Sequence, residues 1–164
     1  MIKALAFIGG LCGATGLSQF PEFSQQYLQR LGGAVDGLRP SVVQFDRDAA
    51  NAGVTRTEAL RKYQGAGGFL AEQGAAKAEE IGRFEALDAD YRALKEAAPL
   101  QRLAQVYRLT DPTLIRSTWS DFRPAVPVTI DGFICAAIGY GIVWVVIMGV
   151  IALITRGLRR RISL

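Results

Sequence analysis

Apolar residues in the first half of the chain recur at steps of three and four. Leu28, Leu31, Val35, Leu38, Val42, Phe45 and Ala49 form one such series, the pattern of a helix face packed on a partner helix in coiled-coil fashion. Pro40 falls inside the series. An interior proline removes a backbone hydrogen bond and costs about 3 kcal/mol or more, so a kink or break is expected near Gly37–Pro40. Residues 51–54 read as a turn. Thr55 and Glu58 then match a capping box, each side chain able to reach the other's backbone N–H. Helical composition continues to about Ala98 and ends at Pro99, with Phe84, Leu87, Tyr91 and Leu94 on one stripe. Gly65, Gly67, Gly68, Gly74 and Gly82 interrupt the first half of this segment. Each costs about 1 kcal/mol relative to Ala, so they either break the helix or let another helix approach closely. Unbroken, the segment would be a rod of roughly 65 Å. Leu100, Leu103, Val106 and Tyr107 suit a short helix. Asp111 and Pro112 begin another, as cap and first helical residue.

The pattern changes at both ends. Gly132 to Ile154 is a run of 23 residues without a charge, and a bilayer core needs roughly 20 apolar residues of helix. The run is rich in β-branched residues, but strands are far shorter, so length selects a helix. A core helix of a soluble domain is the competing reading, and an uncharged run of this length argues against it. At the other end, Lys3 is followed by an uncharged stretch from Ala4 to Pro21. It reads either as a signal peptide, with Ala14 and Gly16 spaced like a cleavage site, or as a short first span. The second is preferred. Gly9 and Gly13 form a G-x-x-x-G, widened by Gly10 and Gly16, and such spacing lets two helices pack closely. The last span offers matching small residues, Gly132 with Ala136, Cys135 with Gly139, and Ala137 with Gly141.

Charge refines this picture. Residues 21–126 carry 14 basic and 14 acidic side chains, so the middle is neutral. Lys3, Arg156, Arg159, Arg160, Arg161 and Asp131 supply the net +4. Basic residues flank spans on the cytoplasmic side, which places both ends there, and the same cations suit anionic lipid headgroups. Asp131 reads as a helix-start residue favoured by the helix dipole; a proton-carrying role is the sharper alternative. A neutral middle domain argues against nucleic acid as a partner. Trp119 and Phe122 lie about ten residues before the last span, as a headgroup-level aromatic anchor or a partner-binding surface. Pro124 and Pro127 stiffen the entry to the span.

Reactive chemistry is sparse. The chain has no histidine, and so lacks the commonest general base and metal ligand. Cys12 and Cys135 fall in the apolar segments and read as packing residues; Leu11 stands where a lipoprotein site needs a small residue. The carboxylate neighbours Asp46 and Asp48, Glu79 and Glu80, and Asp88 and Asp90 point apart on a helix. "GAGG" at 65–68 lacks the Lys and Ser/Thr of a phosphate loop. No catalytic, cofactor or metal residue is assigned.

Around "GLSQFPEFSQQYLQRLGGAVDGLRP" and "DPTLIRSTWSDFRPAVPVTIDGF" the chain resembles a family of small proteobacterial membrane proteins, a domain of unknown function. The carrying residues are Gln19, Pro21, Gln25, Tyr27, Arg30, Leu31 and Gly32, then Asp111, Pro112, Trp119, Phe122 and Pro124. The resemblance implies a retained N-terminal span and a Gram-negative inner-membrane location, and supplies no catalytic residues.

The expectation is an all-α membrane protein. Residues 1–20 form a transmembrane helix or signal-anchor, 21–126 a periplasmic antiparallel helical hairpin, 127–155 a second transmembrane helix, and 156–164 a basic cytoplasmic tail. The expected function is a non-catalytic accessory, scaffold or assembly subunit of an inner-membrane complex, or a self-oligomer. Its packing positions are Gly9, Gly13, Gly16, Leu31, Leu38, Phe84, Tyr91, Trp119, Phe122, Ala136 and Gly139. Expected partners are membrane lipids and another integral membrane protein or a second copy. Two alternatives are a periplasmic lipid- or peptide-binding module serving a transporter, with a cavity near Gly65–Gly68, and an adaptor for a sensor kinase. About ten residues follow Ile154, too few to fold as an output domain.

Overall fold

The structure, a computed structural model, describes residues 2–162 apart from Ala125 and Pro127, and the side chains of 3–124, 126 and 128–155. The side chains of Arg156, Arg159, Arg160 and Arg161, and the expected stiffening at Pro127, lie outside the described residues. The chain is all helical, with no strand among the described residues. In order come α1 (Ile2–Ser18), α2 (Phe20–Asn51), α3 (Arg56–Gly65), α4 (Gly68–Glu96), α5 (Pro99–Ala104), a 3-10 turn (Val106–Arg108), α6 (Pro112–Asp121) and α7 (Ile130–Ile162). They form two compact units. The first contains Met1–Gln25, Ala98–Ala104 and Asp121–Leu164; the second contains Gln26–Ala97 and Gln105–Ser120. Residues 21–25, 98–104 and 121–126 thus fall in the same unit as the terminal helices.

The second unit is built on the apolar stripes. Leu28, Leu31, Val35, Val42 and Ala49 of α2 are buried, with Leu38 and Phe45 half-buried. Tyr27, Leu28, Leu31 and Val35 meet Leu87 and Leu94 of α4, and Leu109, Leu114 and Ile115 close the cluster. Each fully buried aliphatic side chain contributes roughly 1.5–3 kcal/mol. Tyr27 is 1 % exposed, and burial pushes its hydroxyl pKa up. The α2 and α4 pairings run in opposite order along the two helices. Gly32 faces Tyr91, Arg39 bonds Asp88 at 3.2 Å, and Lys77 donates to Ser41 at 2.8 Å.

The helix ends follow local chemistry. At the end of α2, Val54 N–H bonds Ala49 O and Gly53 N–H bonds Ala50 O, with Gly53 at φ +70°. That is the Schellman pattern, in which glycine supplies the left-handed residue. The capping box at α3 forms as expected, Glu58 N–H to Thr55 Oγ1 at 3.2 Å and Thr55 N–H to Glu58 Oε2 at 2.9 Å. Asp111 caps α6 by accepting from the N–H groups of Thr113 and Leu114.

Two open alternatives resolve. Of the kink or break expected near Gly37–Pro40 the break does not occur, and α2 runs through Pro40 to Asn51. Pro40 and Asp36 are both exposed, so the Asp36 carbonyl that loses its N–H partner faces water. The buried Val35 and Val42 hold the helix on either side. The 65 Å rod is absent, because the helix breaks between α3 and α4. Gly67 and Gly68 take φ of +72° and +53°, a region open to glycine and strained for other residues. Gly74 does the opposite job. A Cβ there would lie 2.6 Å from Tyr63 Cβ, so glycine lets α3 lie close on α4.

Charged residues tie the second unit together. Arg56 bonds Asp46 through Nε at 2.6 Å and Glu85 through Nη1 at 2.6 Å. Asp88 is paired with Arg39 and Arg92, while Asp90 is paired with Arg108 and accepts from Thr110. Asp88 and Asp90 therefore have separate partners. The hydrogen bond from Arg56 holds Asp46 below the usual carboxylate range, and Lys77 and Ser41 do the same for Glu80.

Leu31→Ala should lower stability by about 2–5 kcal/mol, read as a lower Tm in circular-dichroism melts. A second expectation follows from the depressed Asp46 and Glu80 values. A lowered folded pKa means the native state holds fewer protons than the unfolded chain. The stabilisation is therefore full above the unfolded carboxylate pKa of about 4 and disappears as pH falls through the lower folded value. Asp46→Asn should flatten the fall in Tm between about pH 5 and pH 3.

Candidate functional site

The first unit is dominated by the pairing of α1 with α7. The two helices run antiparallel, with Gly13 opposite Gly139, and Gly9 opposite Val143 and Ile147. Glycine is required at this crossing. A Cβ on Gly13 would stand 2.5 Å from the Gly139 carbonyl oxygen, and one on Gly139 would stand 2.8 Å from Leu17 Cβ as well as striking the Gly13 backbone. Gly10 receives the Tyr140 ring, which a Cβ would meet at 2.6 Å. Phe7 packs edge-on against the same ring at 6.2 Å between centroids. Ala6 and Cys135 are both fully buried. Cys12 is exposed, and neither cysteine is in a disulfide.

The other faces of this pair are apolar and uncovered. Leu5, Phe7, Ile8 and Leu11 of α1 are exposed, as are Ile142, Val145, Val146 and Leu153 of α7. Within α7, Ile130–Thr155 is long and apolar enough to cross a membrane, and little of it is buried inside the protein. At 17 residues, α1 is about 25 Å long. Thr129 caps α7, accepting from Gly132 N–H at 3.2 Å, and Asp131 lies in the first turn, where a negative charge suits the helix dipole.

The remaining candidate positions divide between the units. Ala136 is half-buried on α7. Gly16 faces open space, with no atom within 4 Å of a Cβ built there. Lys3 is exposed. Phe122 packs edge-on against Phe23 at 5.7 Å within the first unit. Leu31, Leu38, Phe84 and Tyr91 belong to the core of the second unit, where Trp119 is 71 % exposed. Gly67 and Gly68 form a turn, both at positive φ. A cavity of about 230 Å³ lies between Phe45, Ala49, Ala59 and Tyr63.

Some features had no signal in the sequence pattern. Arg102 of α5 is 7 % exposed and donates to Gln25 Oε1 at 2.7 Å across 77 positions of sequence. Glu22 and Asp131, 109 positions apart, line one cavity of about 300 Å³. Among the described residues, no group of three or more His, Cys, Asp or Glu is arranged to hold a metal ion.

These features define an all-helical protein in which, among the described residues, one helix is fit to span a membrane and packs through glycines on a second apolar helix. The chain belongs to the DUF2937 family, described as a protein of unknown function, and the match covers residues 1–160. No curated protein and no solved structure matches it.

Gly13→Ile should overpack the α1–α7 crossing and cost about 1–3 kcal/mol, read as a lower Tm in detergent. Gly16→Ala should raise Tm slightly, because its site is open and Ala is the better helix former by about 1 kcal/mol.

Proposed function

We propose that the chain is a two-pass protein of a bacterial inner membrane. In this reading α1 and α7 cross the bilayer, both ends are cytoplasmic, and the second unit is a periplasmic helical hairpin. The protein acts without catalysis, as an accessory or assembly subunit that packs beside another membrane protein or a second copy of itself.

The carrying observation is the apolar surface of α7 that the protein leaves uncovered. A helix apolar on nearly all sides belongs in a core or in lipid, and this one is not in a core. Supporting observations come from the pairing geometry. The antiparallel crossing puts Lys3 and the arginine-bearing end of α7 at the same end of the pair, as a cytoplasmic flank requires. Glu22 and Asp131 lie at the other end. The short α1 falls below the roughly 30 Å of hydrocarbon, a mismatch met by local thinning of the bilayer. The absence of histidine and the separate pairing of Asp88 and Asp90 support a non-catalytic role. Trp119 on the second unit offers a partner surface of the kind in which Trp is enriched.

Alkaline carbonate washing should leave the protein with the membranes, and a tag after Leu164 should be shielded from protease added to intact spheroplasts. Native mass in mild detergent should exceed that of one 17.7 kDa chain. Release by carbonate would overturn the membrane reading, cleavage of the tag would overturn the orientation, and a lone monomer would overturn the assembly role.

A further inference from the structure

Residues 105–120, the 3-10 turn and most of α6, lie against the α2–α4 hairpin as a strap within the second unit. Leu109, Leu114 and Ile115 are its apolar anchors on the hairpin core, and all three are only half-buried. Two ion pairs fix it on α4. Arg108 Nη1 donates to Asp90 Oδ1 at 3.2 Å, and Arg83 Nη2 donates to Asp111 Oδ2 at 3.0 Å. The Thr110 hydroxyl adds a bond to Asp90 at 3.1 Å. Arg83 and Asp90 stand two turns apart on one face of α4. The strap offers the complementary charges in the opposite chain direction, so a single register satisfies both pairs.

The fit beneath this latch is poor. The Tyr27 hydroxyl lies against the backbone of Thr110 and Asp111 without a well-formed hydrogen bond, and Gln105 Oε1 and Arg108 Nε are also buried without a partner. A buried polar group without a partner favours any state that returns it to water. Val106, Tyr107 and Trp119 of the same strap are exposed and add little to its hold on the core.

We infer that the strap is a detachable lid: residues 105–120 release from the hairpin while α2 and α4 stay folded, with Arg83 and Asp90 as the latch and the buried Tyr27 hydroxyl favouring the open state. Release is a sub-global opening of the kind that separates weakly held elements from a core. It brings Tyr27 and the apolar stripe around it toward solvent. The latch arginines are partly exposed, and such ion pairs are weak and screened by salt. Ionic strength therefore sets how often the lid opens. The device lies within the second unit and stands without the membrane placement proposed above.

The test is amide hydrogen exchange on the full-length protein in nonionic detergent, read by mass spectrometry of peptic fragments. Amides of α6 from Ile115 onward should exchange at least about tenfold faster than those of α2 between Leu28 and Val42. Raising NaCl from about 0.05 M to about 0.5 M should speed strap exchange about fivefold, the combined worth of two exposed ion pairs, and leave α2 unchanged. Asp90→Asn should produce that increase at low salt and blunt the salt response. Tyr27→Phe should act in the opposite direction, slowing strap exchange about fivefold because the buried hydroxyl is gone. Arg56→Gln breaks ion pairs away from the strap and should leave strap exchange unchanged. Strap and α2 amides that exchange together would overturn the inference, since the strap would then open only with the whole unit. Indifference of α6 to Asp90→Asn would overturn it as well, because Asp90 bonds Arg108 and Thr110 and an α6 that only frays at its ends would not respond. Faster strap exchange in Tyr27→Phe would overturn the role given to the hydroxyl.

Discussion

A long apolar helix must be covered by something, and α7 is not covered by its own protein. That constraint organises the first unit. Only one face of α7 meets α1, at a crossing where the Gly13 and Gly139 backbones come close enough to exclude any side chain. The remaining faces need another apolar medium, which is why lipid is the proposed surroundings. The glycines matter for the same reason. Between two apolar helices in lipid, the gain comes from close packing, because burial from water no longer drives association. In those proposed surroundings the crossing substitutes contact area for hydrophobic force.

The second unit solves a different problem by ordinary means. It has a cysteine-free sequence and gains its order from stripes of leucine, valine and aromatic residues on α2 and α4. Ion pairs and a lysine–serine hydrogen bond link the helices around that core. Its charges are balanced, and Asp88 and Asp90 are paired with different arginines.

Much of this was legible in the residue pattern, and the reasons are local. The 28–49 stripe, the Thr55–Glu58 box and the Asp111 cap depend on residues a few positions apart, so spacing reveals them. The break at Gly67 and Gly68 was legible only as one of two options, since glycine permits both a left-handed turn and a close approach; Gly74 takes the second. Pro40 left a kink and a break both open because its cost depends on where the orphaned Asp36 carbonyl points, which is a tertiary fact. Arg102 with Gln25, and Glu22 with Asp131, join residues far apart in the chain. No periodicity marks such meetings. Gly16 looked like part of the packing face, and its open surroundings appeared only once the helix rotation was set.

The reversal between α2 and α3 has its own consequence for how the chain acquires its shape. The left-handed Gly53 and the reciprocal cap at Thr55 satisfy the turn's backbone using residues between Ala49 and Glu58 alone. Such short-range closure carries little loop entropy and favours rapid folding. The corner can therefore set the register of α3 against α2 while the rest of the chain is still being synthesised, before α4 exists to pack on either.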